Sequence, residues 1–156
     1  MKRLIPILLL MFFSARVIAV EHITGAFGVK LGDVWDGEAT KTYEGDGYVR
    51  HIFIPESPLD AFGTYWVDVT PVKGLIFTIV ASQFDEKCNI QYDVLKSALN
   101  KKYGVGESGV NGYEWTQGNR SIWLQCSPKL KLTYFDYAVY ASRIGELAEQ
   151  VDSSNL

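Results

Sequence analysis

Histidine and cysteine are each present only twice in 156 residues, and each scarcity removes a class of chemistry. A Ser-His-Asp or Cys-His site would have to use His22 or His51. The second lies inside a strand-like segment, where histidines are mostly satisfied by hydrogen bonds. Two thiols, Cys88 and Cys126, are too few for a structural zinc site of the usual four-ligand kind. Long apolar runs are also missing: the run from Leu4 reaches only Ala15 before Arg16 interrupts it, short of the roughly 20 residues that cross a bilayer core. Basic residues are outnumbered 15 to 18 by acidic ones. A phosphate backbone would be repelled by such a surface, and Lys101, Lys102, Lys129 and Lys131 are too scattered to form a basic patch. Nucleic acid is therefore not an expected partner.

The start of the chain carries an export pattern. Lys2 and Arg3 form a basic head, Leu4 to Phe13 an apolar stretch, and Val17-Ile18-Ala19 a segment that a signal peptidase can cut after Ala19. Residues 1–19 are read as a signal peptide and 20–156 as a single domain, periplasmic or secreted after cleavage. No cysteine lies near the cut, so no lipid attachment is expected, and contact with the membrane is limited to the signal peptide before cleavage. Removing Lys2, Arg3 and Arg16 leaves the mature part with a net charge of about −6. In an oxidising compartment Cys88 and Cys126 read as a disulfide.

Periodicity gives an α+β fold with an antiparallel sheet of six or seven strands. Ile23 to Leu31 reads as a short strand, and Tyr48 to Ile54 as another with Val49, His51 and Phe53 on one face. Phe62–Val69 and Leu75–Ser82 flank Thr70-Pro71-Val72-Lys73-Gly74, a turn with proline early and glycine last. The second of these strands is apolar on nearly both faces, which places it in the middle of the sheet. After Ser82 and Asp85, apolar residues at Cys88, Tyr92, Leu95, Leu99 and Tyr103 follow helical spacing, so a long helix over about 85–103 is predicted, closed by Gly104. Tyr113–Thr116, Ser121–Cys126 and Leu130–Asp136 form a three-stranded meander. Tyr140, Ile144, Leu147 and Val151 mark a C-terminal helix, and Asp152 to Asn155 are expected to fray. The disulfide would then fasten helix to sheet.

Few motifs survive this placement. Gly104-Val105-Gly106-Glu107-Ser108-Gly109 spells G-x-G-x-x-G, but it leaves a helix and enters a strand, the reverse of what a dinucleotide site requires. Ser108 is no nucleophile elbow, because Val110 stands where the closing glycine belongs. Asp33, Asp36, Glu38, Glu44 and Asp46 crowd the Gly32–Gly47 stretch without the alternation of a calcium loop. No metal and no cofactor is expected. Aromatic residues are the remaining signal. Trp66 alternates away from Tyr65 and Val67, and Trp123 away from Ile122, Leu124 and Cys126. Trp66, Trp123, Trp115 and Tyr113 are taken as a candidate binding face for an envelope protein or glycan.

Phe27-Gly28-Val29-Lys30-Leu31-Gly32-Asp33, Val69-Thr70-Pro71, the stretch from Leu95 to Lys102-Tyr103-Gly104, and Val151-Asp152-Ser153-Ser154 together resemble a group of small, uncharacterised exported bacterial proteins. The resemblance covers most of the mature chain and implies a Gram-negative periplasmic setting, with no activity or catalytic residue to carry over. In architecture the chain is also similar to the small β-plus-helix domains of envelope assembly lipoproteins and periplasmic inhibitors, but it lacks the lipoproteins' acylated cysteine. The reading is a non-catalytic periplasmic binding module. One alternative is a hydrolase of cell-wall or glycan material using two carboxylates of the Asp33–Asp46 stretch. Another is an inhibitor or immunity-type protein that plugs an enzyme with the Gly104–Gly112 loop.

Overall fold

A computed structural model gives the fold and describes residues 20–83, 88 and 90–151. The signal-peptide reading of residues 1–19, the Asp85 half of the helix-start motif and the fraying tail 152–155 lie outside the described residues.

The architecture is α+β. Two tiny strands, β1 (Gly25–Ala26) and β2 (Val29–Lys30), make a separate hairpin. The main sheet follows as β3 (Lys41–Gly45), β4 (Tyr48–Phe53), β5 (Thr64–Val69), β6 (Ile76–Ser82), then helix α1 (Ile90–Tyr103), β7 (Glu107–Gly109), β8 (Gly112–Gln117), β9 (Arg120–Cys126), β10 (Leu130–Asp136) and helix α2 (Tyr137–Gln150). Eight antiparallel strands lie in the order β3-β4-β5-β6-β10-β9-β8-β7. Two meanders, each followed by a helix, thus meet where β6 pairs with β10. The apolar strand β6 is central, as its composition requires: buried on both faces, it has no side on which a polar residue is cheap.

The sheet is larger than the six or seven strands expected, because β3 and β7 carry no apolar period. Every residue of both is exposed at a sheet edge, where charge and short length discourage further pairing. The expected strand Ile23–Leu31 is instead the β1–β2 hairpin, turned by Phe27 and Gly28 at φ of 56° and 80°.

One face of the sheet is covered across its inner strands. Tyr65, Val67, Ile79, Ala81, Ile122, Leu124, Leu132 and Tyr134 project into a single buried cluster with Leu99 and Tyr103 of α1 and with Ile23 and Leu31 beside the N-terminal hairpin. Phe27 meets Tyr65 edge-on with ring centroids 5.0 Å apart. Burial against Tyr103 drives the Tyr134 hydroxyl far above its ordinary pKa. Cys88 and Cys126 form a disulfide that ties the approach to α1 to the end of β9. Described helix begins at Ile90, so Cys88 precedes the helical stripe on which spacing had placed it.

Polar side chains lock the periphery. Arg120 Nε donates to Asp136 at 2.8 Å, while its two terminal nitrogens donate to the carbonyls of Ile23 and Leu31. Asp136 also caps α2, accepting from the amides of Ala138 and Val139. One ion pair therefore joins the N-terminal segment, β9, β10 and a helix start.

Helix α2 lies on the opposite face but covers only one end of it. Tyr140 packs on Phe77 and Phe135, and Glu146 accepts from the amides of Val72 and Lys73 in the β5–β6 turn. Ile144 and Val151 are 62% and 55% exposed, so the inward stripe is not the predicted Tyr140-Ile144-Leu147-Val151. It runs through Tyr140, Arg143, Glu146 and Leu147. Glu146 displaces an apolar residue because two turn amides need an acceptor there. Among the described residues, no helix is long and apolar enough to cross a membrane.

Candidate functional site

The second sheet face, of which α2 covers only one end, carries the candidate site. Antiparallel register sets Lys41, Ile52, Trp66, Val80, Thr133, Trp123, Glu114 and Glu107 in one row across all eight strands. Opposite residues of an antiparallel pair point to the same side, so Trp66 and Trp123 share this face. Three strand spacings of about 4.8 Å put their backbones roughly 14 Å apart. Both indoles are half-buried, and Val80 and Thr133 between them are 3% and 5% exposed. The row thus has an apolar, aromatic centre and charged ends.

Each indole is fixed by its neighbours. The Arg50 guanidinium lies 5.1 Å from the Trp66 ring centroid and is itself held by Asp68 through two bonds of 2.6 and 2.9 Å. Asp68 raises the Arg50 pKa further by this hydrogen bonding. Trp123 stacks on Phe135 with centroids 5.7 Å apart and planes at 25°, and Tyr137 meets it edge-on at 6.2 Å. Ring orientation is therefore set before any ligand arrives. Trp66 Nε1, Ser121 Oγ and Thr133 Oγ1 are buried on this face without a hydrogen-bond partner among the described residues.

The other two candidates face the core. Trp115 is 3% exposed, and its Nε1 donates to Gly104 O at 2.9 Å and to Asn100 Oδ1 at 3.1 Å. Asn100 also accepts from the Gly106 amide, so the G-x-G-x-x-G segment is an anchored connection between α1 and β7. Tyr113 points the same way as Trp115, under Lys96 Nζ at 3.5 Å from its ring centroid. Their alternation with Glu114 and Thr116 shows why: polar residues of β8 take the open face and aromatic ones the covered face. The aromatic face therefore reduces to Trp66 and Trp123.

Two other regions hold sequence-predicted residues. Asp33, Asp36 and Glu38 line a cleft of about 760 Å³ together with Glu56, Lys30, Trp35 and Phe53, whereas Glu44 and Asp46 are not among its walls. Trp35 stacks on His51 with centroids 5.7 Å apart, and burial lowers the His51 pKa. Among the described residues, no group of three or more His, Cys, Asp or Glu side chains is placed to hold a metal ion. Val105 in the α1–β7 connection and Val110 in the β7–β8 turn are 90% and 98% exposed.

Sequence reasoning missed a pocket of about 260 Å³ beside Trp123, lined by Gly109, Asn111, Gly112, Glu114 and Gln125 among others. No local pattern marks it, since its walls are brought together by the register of β8 on β9. Comparison with family models, with curated proteins and with solved structures finds no match for this chain.

Proposed function

We propose that this protein is an exported, non-catalytic binding module, whose open sheet face holds an envelope protein or glycan in the periplasm. The observation that carries the reading is the shared row of half-buried Trp66 and Trp123 on a face of which α2 covers only one end. Large amphipathic rings with few rotatable bonds supply contact area at low entropic cost, and they dominate binding energy where they occur. Pre-oriented indoles flanked by the Arg50–Asp68 pair and by Glu114 suit a partner with both apolar and polar surface. The Cys88–Cys126 bond fits an oxidising compartment. The resemblance to small exported proteins agrees with that location.

Affinity capture from envelope extract on the immobilised exported protein tests the reading. A stoichiometric partner retained by wild type and lost from the Trp66→Ala/Trp123→Ala variant supports it. Equal recovery on both would remove the face from the account.

A second reading follows from the cleft. Asp33, Asp36, Glu38 and Glu56 could serve as an acid and base pair for glycan hydrolysis over the aromatic wall of Trp35. It requires turnover of cell-wall fragments that Asp33→Asn or Asp36→Asn abolishes. Binding without turnover excludes it.

A further inference from the structure

We infer that the pocket beside Trp123 is a subsite for one pyranose ring of an envelope glycan, an assignment that rests on the binding-module reading. The cavity is built by the sheet itself. At Gly112 strands β8 and β9 run so close that a Cβ would lie 1.9 Å from the Leu124 carbonyl oxygen, so the position admits only glycine. Gly112 shares a face with its partner Gln125 and with Glu114, two residues along β8, while Trp123 sits opposite Glu114. The hollow lies among the Trp123 indole, the Glu114 carboxylate and the Gln125 amide, with Asn111 of the hairpin tip on its wall.

Size and chemistry select the occupant. At about 260 Å³ the hollow falls below the range of roughly 300–1,000 Å³ typical for drug-sized ligands, which leaves room for a single ring. A pyranose has an apolar C–H face, which the quadrupole of an indole attracts, and a rim of hydroxyls that donate and accept. Glu114, Gln125 and Asn111 offer planar polar groups suited to that rim, and the Glu114 carboxylate already accepts from Thr116 Oγ1 at 3.3 Å. An anionic group such as phosphate would meet Glu114 and a mature net charge of about −6. An apolar peptide side chain would desolvate the carboxylate and both amides without pairing them. A neutral polyhydroxylated ring satisfies all four groups. The Phe135 and Tyr137 contacts hold Trp123 in place, so little ordering is required on binding.

The test is a titration of the exported protein with triacetylchitotriose and, separately, maltotriose, followed by amide and indole NMR. Saturable shifts at Gly112, Glu114, Trp123 and Gln125 are expected, with a Kd of about 1 mM or tighter, within reach of about 10 mM sugar. Trp123→Ala should weaken binding at least about tenfold, and Glu114→Gln roughly threefold or more, while Lys101→Ala on exposed α1 changes nothing. Asn111→Ala, at the exposed rim, repeats the test should Trp123→Ala fail to fold. Purified cell-wall glycan strands against lipopolysaccharide core oligosaccharide then identify which source supplies the ring. Absence of saturable shifts, or shifts that map elsewhere, overturns the subsite. If capture of a protein partner still depends on Trp66 and Trp123 in that event, the broader reading stands without the sugar. If it does not, both fall.

Discussion

Removing the Cys88–Cys126 bond should destabilise the fold by several kilocalories per mole without altering its strand order. The two residues are 38 apart in sequence. On the chain-entropy relation, closing a loop of that length removes about 13 cal/mol/K from the unfolded state, or about 4 kcal/mol at 25 °C, with measured cases falling in the range of about 2–4 kcal/mol. Unfolding entropy near 2.1 cal/mol/K per residue gives a chain of this size about 0.3 kcal/mol/K, so each kilocalorie moves the melting point by roughly 3 °C. Cys88→Ser/Cys126→Ser should therefore melt about 6–12 °C below wild type by calorimetry under oxidising conditions. Wild type in reductant should fall by the same interval, and reductant should leave the double variant unmoved. Intact mass under non-reducing conditions checks the bond itself. Equal melting points for wild type and variant would refute the stabilising role given to this cross-link between the approach to α1 and the end of β9.

Other perturbations probe separate joints. Asp136→Ala removes both the α2 cap and the partner of Arg120, and should cost about 3–5 kcal/mol because a partly buried guanidinium loses its counter-charge. A chemical denaturation curve measures it. Glu146→Ala strands the Val72 and Lys73 amides and should cost about 1–3 kcal/mol, with faster hydrogen exchange in the β5–β6 turn as its signature. Trp115→Phe keeps most of the buried ring but loses the bonds to Gly104 and Asn100, for an expected loss of about 1–2 kcal/mol and new mobility at Gly106 by NMR. His51 is held below its ordinary pKa by burial, so below about pH 6.5 the unfolded chain binds the extra proton more readily. Stability should then fall as pH drops through the histidine range, and the melting point of His51→Gln should fall less between about pH 7.5 and pH 5.

The residues told their structural roles wherever burial imposed a period. β6 announced a central strand through unbroken apolar residues, and the Thr70–Gly74 turn fixed its hairpin with β5. Trp66 and Trp123 declared their side of the sheet by alternating against Tyr65, Val67, Ile122 and Leu124, all of which are buried in the covered cluster. Where a segment pairs but buries nothing, the pattern was silent. Lys41-Thr42-Tyr43-Glu44-Gly45 falls in the carboxylate-dense, glycine-rich Gly32–Gly47 stretch, yet its backbone bonds to β4 suffice to make it the edge strand. Trp115 and Tyr113 were grouped with the outer aromatics by composition, although their alternation with Glu114 and Thr116 already opposed it. Glu146 had no readable signal, since its place on the inward stripe of α2 comes from two amides more than seventy residues away. The Trp123 pocket depended on which strand lies opposite Gly112, a fact of register rather than of local sequence.

The four tryptophans give four indole N–H resonances, and these report directly on where a partner lands. On adding the captured envelope component to labelled protein, the Trp66 and Trp123 signals should shift or broaden, and that of core-bound Trp115 should stay in place. Movement of Trp35 alone, with Trp66 and Trp123 unchanged, would contradict the account and move the functional site to the acidic cleft.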